Sequence, residues 1–89
     1  MASTEQYRQI LRGEIAAKPG RQYEAYNAVR AEVESADQVL RELCAARCHS
    51  RQARLAQRDA ERAIREQLVT NRNALRAYED RMQHEGAAS

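Results

Sequence analysis

Apolar residues recur at a helical period along most of the chain. In STEQYRQILRGEIAA they are spaced three and four apart: Tyr7, Ile10, Leu11 and Ile15. Ser3 and Gln6, three residues apart, have the form of a capping box that begins a helix. Pro19 and Gly20 follow in KPGR and interrupt the helical pattern. The pattern therefore predicts a first helix over about residues 4–17.

The apolar stripe changes face in the middle of the chain. A first stripe contains Tyr26, Val29, Val33, Ala36, Leu40 and Leu43. A second stripe is rotated by roughly 130° from the first; it contains Ala53, Ala56, Ala60, Ile64, Leu68, Leu75, Tyr78 and Met82. If one helix continued throughout, the first stripe would run directly into arginines. We therefore predict a break near residues 46–50, with Ser50 as the N-cap of the next helix.

The resulting fold prediction is all-α. A short N-terminal helix precedes a long antiparallel helical hairpin of residues 21–46 and 50–83; one continuous helix over this stretch is the alternative. Residues 1–83 form one domain, and residues 84–89 form a flexible tail. Ala supplies 17 of the 38 apolar residues, so large core side chains are few. Because small chains with thin cores commonly oligomerise, we expect a homodimer that completes a four-helix bundle.

The last helix carries a row of arginines at its own period. Lys18 is the only lysine among 15 basic residues. Eight arginines fall within an arc of about 80°: Arg47, Arg51, Arg54, Arg58, Arg62, Arg65, Arg72 and Arg76. Like charges three or four residues apart repel, and the first three of these arginines have no acidic residue at those spacings. The missing negative charge is expected on another molecule.

A solvated face with ion pairs is the ordinary explanation of a charged helix. A nucleic-acid backbone fits this row better, because it is a linear polyanion. No stacking platform of aromatics and no DNA-recognition motif is present in the sequence. Gln52, Gln57, Asn71 and Asn73 are the polar side chains that could touch sugars or bases. The pattern suits recognition of an RNA duplex by shape and phosphates, with duplex DNA as the alternative.

The arginine stretch RQARLAQRDAERAIR, with Arg72 and Arg76, resembles the basic helix face of the double-stranded-RNA-binding suppressors of RNA silencing made by nodaviruses. The resemblance covers the architecture and charge pattern of roughly residues 4–76. It implies an antiparallel four-helix dimer that lies along duplex RNA and shields it from the silencing machinery. In that case the eight arginines would contact phosphates. This sequence departs from the family in using Arg almost alone, where the family mixes Lys and Arg.

Other chemistry is not indicated by the sequence. Cys44 and Cys48 lie four residues apart beside His49, but a structural zinc site needs four ligands, so we expect no metal and no cofactor. Neither a phosphate-binding loop nor a nucleophile with a partner is present, so we do not expect an enzyme or a small-molecule substrate. A polar N-terminus and the lack of a long apolar run predict a cytoplasmic protein without membrane contact. The alternative function is a viral or phage coiled-coil assembly factor that binds an acidic protein partner.

Overall fold

The computed structural model describes the backbone of residues 3–88 and the side chains of residues 3–84. It contains three helices: α1 (Thr4–Leu11), α2 (Pro19–Ala45) and α3 (Arg51–Ala88). No strand occurs in the described backbone, so the prediction of an all-α fold is confirmed. The molecule is elongated, with principal extents of 58 × 29 × 17 Å.

Helix α1 ends six residues earlier than the sequence pattern predicts, because a glycine terminates it. The capping box of Ser3 and Gln6 is present at its start, as expected. Gly13 has a φ of +81°, a left-handed conformation that glycine adopts without steric cost. The N–H of Glu14 donates to the carbonyl of Gln9 at 2.9 Å, as in a Schellman motif. The predicted helix end at residue 17 is therefore wrong.

The two long helices begin with different signals. Pro19 occupies the first turn of α2, two residues before the predicted start, where its fixed φ suits a helix and its missing N–H is not needed. Ser50 precedes α3, and its Oγ accepts a hydrogen bond from the N–H of Ala53 at 3.0 Å. The predicted N-cap at Ser50 is thus confirmed. Between these helices, residues 46–50 are not helical.

Helix α3 continues to Ala88, five residues beyond the predicted end. The single glycine in this stretch weakens a helix by about 1 kcal/mol and does not by itself end one. The tail predicted over residues 84–89 is therefore helical through Ala88, while Ser89 and the side chains from Glu85 onward lie outside the described residues.

One buried apolar cluster joins all three helices. It consists of Ile10, Leu11, Ala25, Val29 and Ala74. Half-buried side chains surround it: Tyr7, Ala17, Tyr26, Leu75 and Tyr78. The contacts between α2 and α3 run in opposite order along the two helices. The rings of Tyr26 and Tyr78 lie 5.3 Å apart at one end, and the Cys44 thiol lies 3.6 Å from a carboxylate oxygen of Glu61 at the other.

A buried polar network crosses the same core. Asn71 is fully buried. Its Oδ1 accepts a hydrogen bond from Nη1 of Arg8 at 2.9 Å, and its Nδ2 donates to Oε2 of Glu32 at 3.3 Å. Oε1 of Glu32 in turn accepts a hydrogen bond from the hydroxyl of Thr4 at 2.8 Å. Because unpaired buried polar groups are costly, this network fixes α1 against both long helices in one register.

A second polar contact holds the end of α1. Nη2 of Arg81 donates to the backbone carbonyls of Ile10 and Leu11, at 3.1 and 2.8 Å. These carbonyls belong to the last turn of α1, and that of Ile10 also accepts a hydrogen bond from the N–H of Gly13 at 3.1 Å. The Arg81 guanidinium also lies over the ring of Tyr78, 5.8 Å from its centre. This arginine therefore has a structural role.

The part of the molecule nearest the turn has no comparable core. We call residues 37–67 the distal segment; it contains no fully buried side chain. Val39 and Leu55 are 44% and 51% exposed. Ala53 and Ala56, which the periodicity assigned to the apolar stripe, are exposed as well. They are exposed because α1, which covers the groove between α2 and α3 elsewhere, does not reach them.

Candidate nucleic-acid interface

Seven of the eight predicted arginines lie along α3, and all seven are exposed. We call this set the arginine row: Arg51, Arg54, Arg58, Arg62, Arg65, Arg72 and Arg76. It spans about 38 Å at 1.5 Å per residue. The eighth, Arg47, is exposed but lies in the non-helical connection between α2 and α3. Its predicted place on the same helical arc is therefore wrong, because the helix that would carry it has ended at Ala45.

The arginine row is poorly neutralised within the described side chains. Only Arg72 forms an ion pair, in which its Nη2 lies 3.0 Å from Oδ1 of Asp37 on α2. No carboxylate among residues 3–84 lies within 4.0 Å of a guanidinium nitrogen of the other six. The sequence offers Glu61 and Glu66 as partners for the row at a spacing of four. Glu61 instead accepts hydrogen bonds from the Cys44 thiol and from Nε2 of Gln57.

The arginines of α1 present a clear contrast. Arg8 and Arg12 both bind Glu5, with closest distances of 2.8 and 3.2 Å. The hydrogen bond from Arg8, and then that from Arg12, lowers the pKa of Glu5 below its usual 4.5. A hydrogen bond to Glu14 raises the pKa of Arg12. Charge is thus balanced locally around α1, whereas among residues 3–84 six of the seven arginines of the row have no carboxylate partner.

Two of the polar side chains considered for nucleic-acid contact have structural roles. Asn71 is buried in the network described above, so it cannot reach a ligand on the surface. Gln57 is half-buried, and its side chain contacts the Leu43 carbonyl and the Cys48 thiol, which closes the connection between α2 and α3. Gln52 and Asn73 are exposed and remain available. The helical period alone cannot distinguish the structural amides from the exposed ones, since it does not show which neighbours form hydrogen bonds with each side chain.

One further exposed arginine lies on the side of α2 that contacts α3. Arg41 of α2 is exposed and has no carboxylate within 4.0 Å among residues 3–84. It lies four residues after Asp37 and three before Cys44, and both of these contact α3. The spacing of four and three places all three on one side of α2. The spacing of Asp37, Arg41 and Cys44 can be seen in the sequence. It shows that this side of α2 contacts α3 only when the partners of Asp37 and Cys44 are known.

Comparison with known proteins gives no relative. No family model, no curated protein and no solved structure matches the chain.

Among residues 3–84, no three His, Cys, Asp or Glu side chains are grouped so that they could hold a metal ion. Within the described backbone, none of the three helices has an apolar stretch long enough to cross a bilayer. Both cysteines are free thiols, with Cys44 exposed and Cys48 half-buried.

Proposed function

We propose that the protein binds double-stranded RNA without sequence preference, through the arginine row of α3. The observation that carries this proposal is the row itself, in which six of seven exposed guanidiniums have no carboxylate partner among residues 3–84. Like-charged neighbours on a helix cost a few tenths of a kcal/mol per pair, so the row mildly destabilises the free protein. A bound polyanion would remove that cost and would supply the missing counter-charge.

The length and rigidity of α3 also support a duplex as the ligand. A row of about 38 Å is about as long as one turn of a B-form duplex, which is roughly 34–36 Å along its axis. Arginine presents a planar fork of donors that matches a phosphate group. Exposed Gln52 and Asn73 can reach sugar hydroxyls beside the row. The complex would rest on phosphates and shape, which carry no sequence information.

RNA is preferred to DNA, and a biological role is assigned, on the resemblance to the nodaviral suppressors. On that basis we propose that the protein sequesters duplex RNA in the cytoplasm of a host cell and suppresses RNA silencing. It would act as a binding protein and not as an enzyme. RNA presents a wide, shallow minor groove with 2′-hydroxyls, which suits a straight helix without a recognition motif.

We further propose that the α2–α3 hairpin pairs with a second copy through the distal segment. A groove between α2 and α3 begins near Glu32, beside the start of α1, and continues along Ala36, Val39 and Ile64. Ala53, Ala56 and Ala60 precede Ile64 on α3 at the helical period, and small residues allow two helix pairs to approach closely. The row lies on a different side of α3, so this contact would leave the arginines exposed. Val39→Glu should therefore give a monomer by analytical ultracentrifugation, with its helix content unchanged.

Charge reversal within the row tests the RNA proposal. Arg54→Glu combined with Arg58→Glu should abolish binding to an RNA duplex, while circular dichroism reports the same helix content. The matched control is Lys18→Glu combined with Arg21→Glu, which makes the same change in net charge at two exposed positions, one just before α2 and one in its first turn. The control should reduce affinity far less. Normal duplex binding by the Arg54 and Arg58 double variant would refute the proposal.

The second candidate function is a helical assembly factor that binds an acidic protein. The observation that favours it is the distal segment, where exposed Val39 and Leu55 leave apolar surface for a partner helix. This function predicts that the protein passes through an immobilised RNA-duplex column without retention. It also predicts that Val39→Glu would abolish partner binding, which the RNA proposal does not require.

A further inference from the structure

Arg41 of α2 and Arg65 of α3 are exposed arginines that form no ion pair among residues 3–84. Asp37, Arg41 and Cys44 share one side of α2, at spacings of four and three. The flanking two are engaged: the carboxylate of Asp37 accepts hydrogen bonds from Nη2 of Arg72 at 3.0 Å, and Cys44 donates to Glu61 at 3.6 Å. Arg41, between them, forms no ion pair with any carboxylate of residues 3–84.

The Asp37–Arg72 and Cys44–Glu61 contacts indicate which residues of α3 lie opposite Arg41. On α3 the partners are Arg72 and Glu61, and α3 runs in the opposite direction along the contact. Interpolation between these two contacts places Arg41 across from residues 65 and 66. Of these, Arg65 lies on the same side of α3 as Glu61 and Arg72, four residues from one and seven from the other. Glu66 is a further 100° around the helix, away from this contact.

We call the contact between α2 and α3 from the Asp37–Arg72 pair to the Cys44–Glu61 pair the seam. The charged side chains along it occur in a definite order. An ion pair of Asp37 and Arg72 lies at one end, and Glu61 with its thiol and amide donors lies at the other. Between them lie two exposed arginines, Arg41 on α2 and Arg65 on α3, which the interpolation places at the same level of the seam. Packed helices have axes about 8–10 Å apart, a separation that two arginine side chains can span from both sides. Two like charges held in this way are best neutralised by an anion between them.

We propose that Arg41 and Arg65 form a binding site for one phosphodiester group across the α2–α3 seam. We call this two-arginine site the seat. The inference rests on the proposed duplex binding and adds α2 to the interface. The seat sets the position of the duplex: a strand that follows the row is drawn toward α2 at Arg65, near the middle of the row. Two guanidinium groups that bind one phosphate would orient it as well as neutralise its charge, because each planar group donates hydrogen bonds within its own plane.

Single neutral substitutions test the seat by duplex affinity. Arg41→Gln and Arg65→Gln should each weaken duplex binding roughly fivefold, as expected for the loss of one exposed charge pair. The double variant should lose less than the product of the two single losses, because both arginines serve the same phosphate. Arg21→Gln is the matched control: it is an exposed arginine of α2 away from the seam, and it should change affinity less than twofold. The proposal is wrong if Arg41→Gln and Arg21→Gln have the same affinity, or if the two losses multiply.

A second readout separates failure of the seat from failure of duplex binding. Tripolyphosphate is titrated into ¹⁵N-labelled wild-type protein, and the arginine Nε–Hε resonances are followed by NMR. The resonances of Arg41 and Arg65 should shift together and more than that of Arg21. If the wild type binds no duplex but these two resonances shift together, the seat stands and the proposed function falls. If they shift no more than the Arg21 resonance, the seat is overturned whatever the duplex result.

Discussion

Arg54→Glu should make the free protein more stable while it weakens duplex binding. Arg54 lies near the start of α3, with Arg51 three residues before it and Arg58 four residues after it. No carboxylate of residues 3–84 lies within 4.0 Å of it. A glutamate would turn two repulsive pairs into attractive ones, and each pair contributes about 0.2–0.5 kcal/mol in either sense. The expected gain in the free energy of unfolding is therefore about 1 kcal/mol, with a small further gain from the helix dipole.

Thermal and urea unfolding followed by circular dichroism measure this gain. A gain of about 1 kcal/mol should raise the midpoint temperature by roughly 4–8 °C for a domain of this size. Arg54→Gln removes the repulsion without adding attraction, so it should give about half the gain. In the same preparations duplex affinity should fall at least tenfold for Arg54→Glu, since a contact is replaced by a repulsion. Destabilisation by Arg54→Glu would refute the account, because it would mean that Arg54 has a stabilising partner within the free protein.

Three further predictions concern stability. Asn71→Ala should lower the free energy of unfolding in urea by about 2 kcal/mol, since it leaves buried donors and acceptors unpaired; a loss below about 0.5 kcal/mol would show that the network is not needed. Gly13→Ala should cost about 1–2 kcal/mol by the same assay, because its φ of +81° disfavours a side chain; an unchanged midpoint would contradict this. Glu5→Gln should be less stable than wild type at pH 7 and equally stable once the pH falls through the lowered pKa of Glu5, below 4.5, because the wild type gains stability only while Glu5 is ionised. A difference that persists at pH 2 would exclude this explanation.

The helices could be predicted from sequence wherever local signals agree. The predicted caps at Ser50 and Ser3 are confirmed, because a cap depends on a few adjacent residues. The predicted end of α1 at residue 17 is wrong because the apolar period continues to Ile15, whereas the helix ends before Gly13. In the structure Ile15 lies beyond the helix and is 41% exposed. A left-handed glycine is decided by the backbone, and an apolar period does not reveal it.

The core was harder to predict than the helices. Asn71 and Ala74 are fully buried, yet neither was assigned to the apolar stripe of α3. Both lie where α1 crosses the two long helices, and the crossing cannot be located from the period of one helix. Burial of Asn71 further depends on Arg8 and Glu32, which are remote in sequence. Tertiary contacts of this kind escape a pattern that scores hydrophobicity alone.

The candidate interface also has some features that the sequence could predict and others that it could not. The exposure of the arginine row follows from its place opposite the apolar stripe, and this could be predicted. The pairing of Arg72 with Asp37 could not be predicted, since it depends on how α2 and α3 are aligned. The engagement of Glu61 by Cys44 and Gln57 likewise required the structure.

The most direct test is a mobility-shift measurement with an RNA duplex of about 21–25 base pairs and a DNA duplex of the same length, each at two salt concentrations. We predict that the wild-type protein binds RNA more tightly than DNA, without dependence on sequence. We also predict that affinity falls steeply as salt increases, because several phosphates exchange their counterions for arginines. Equal binding of the two duplexes would contradict the choice of RNA. No shift of either duplex at low salt would contradict the central claim that the arginine row binds nucleic acid.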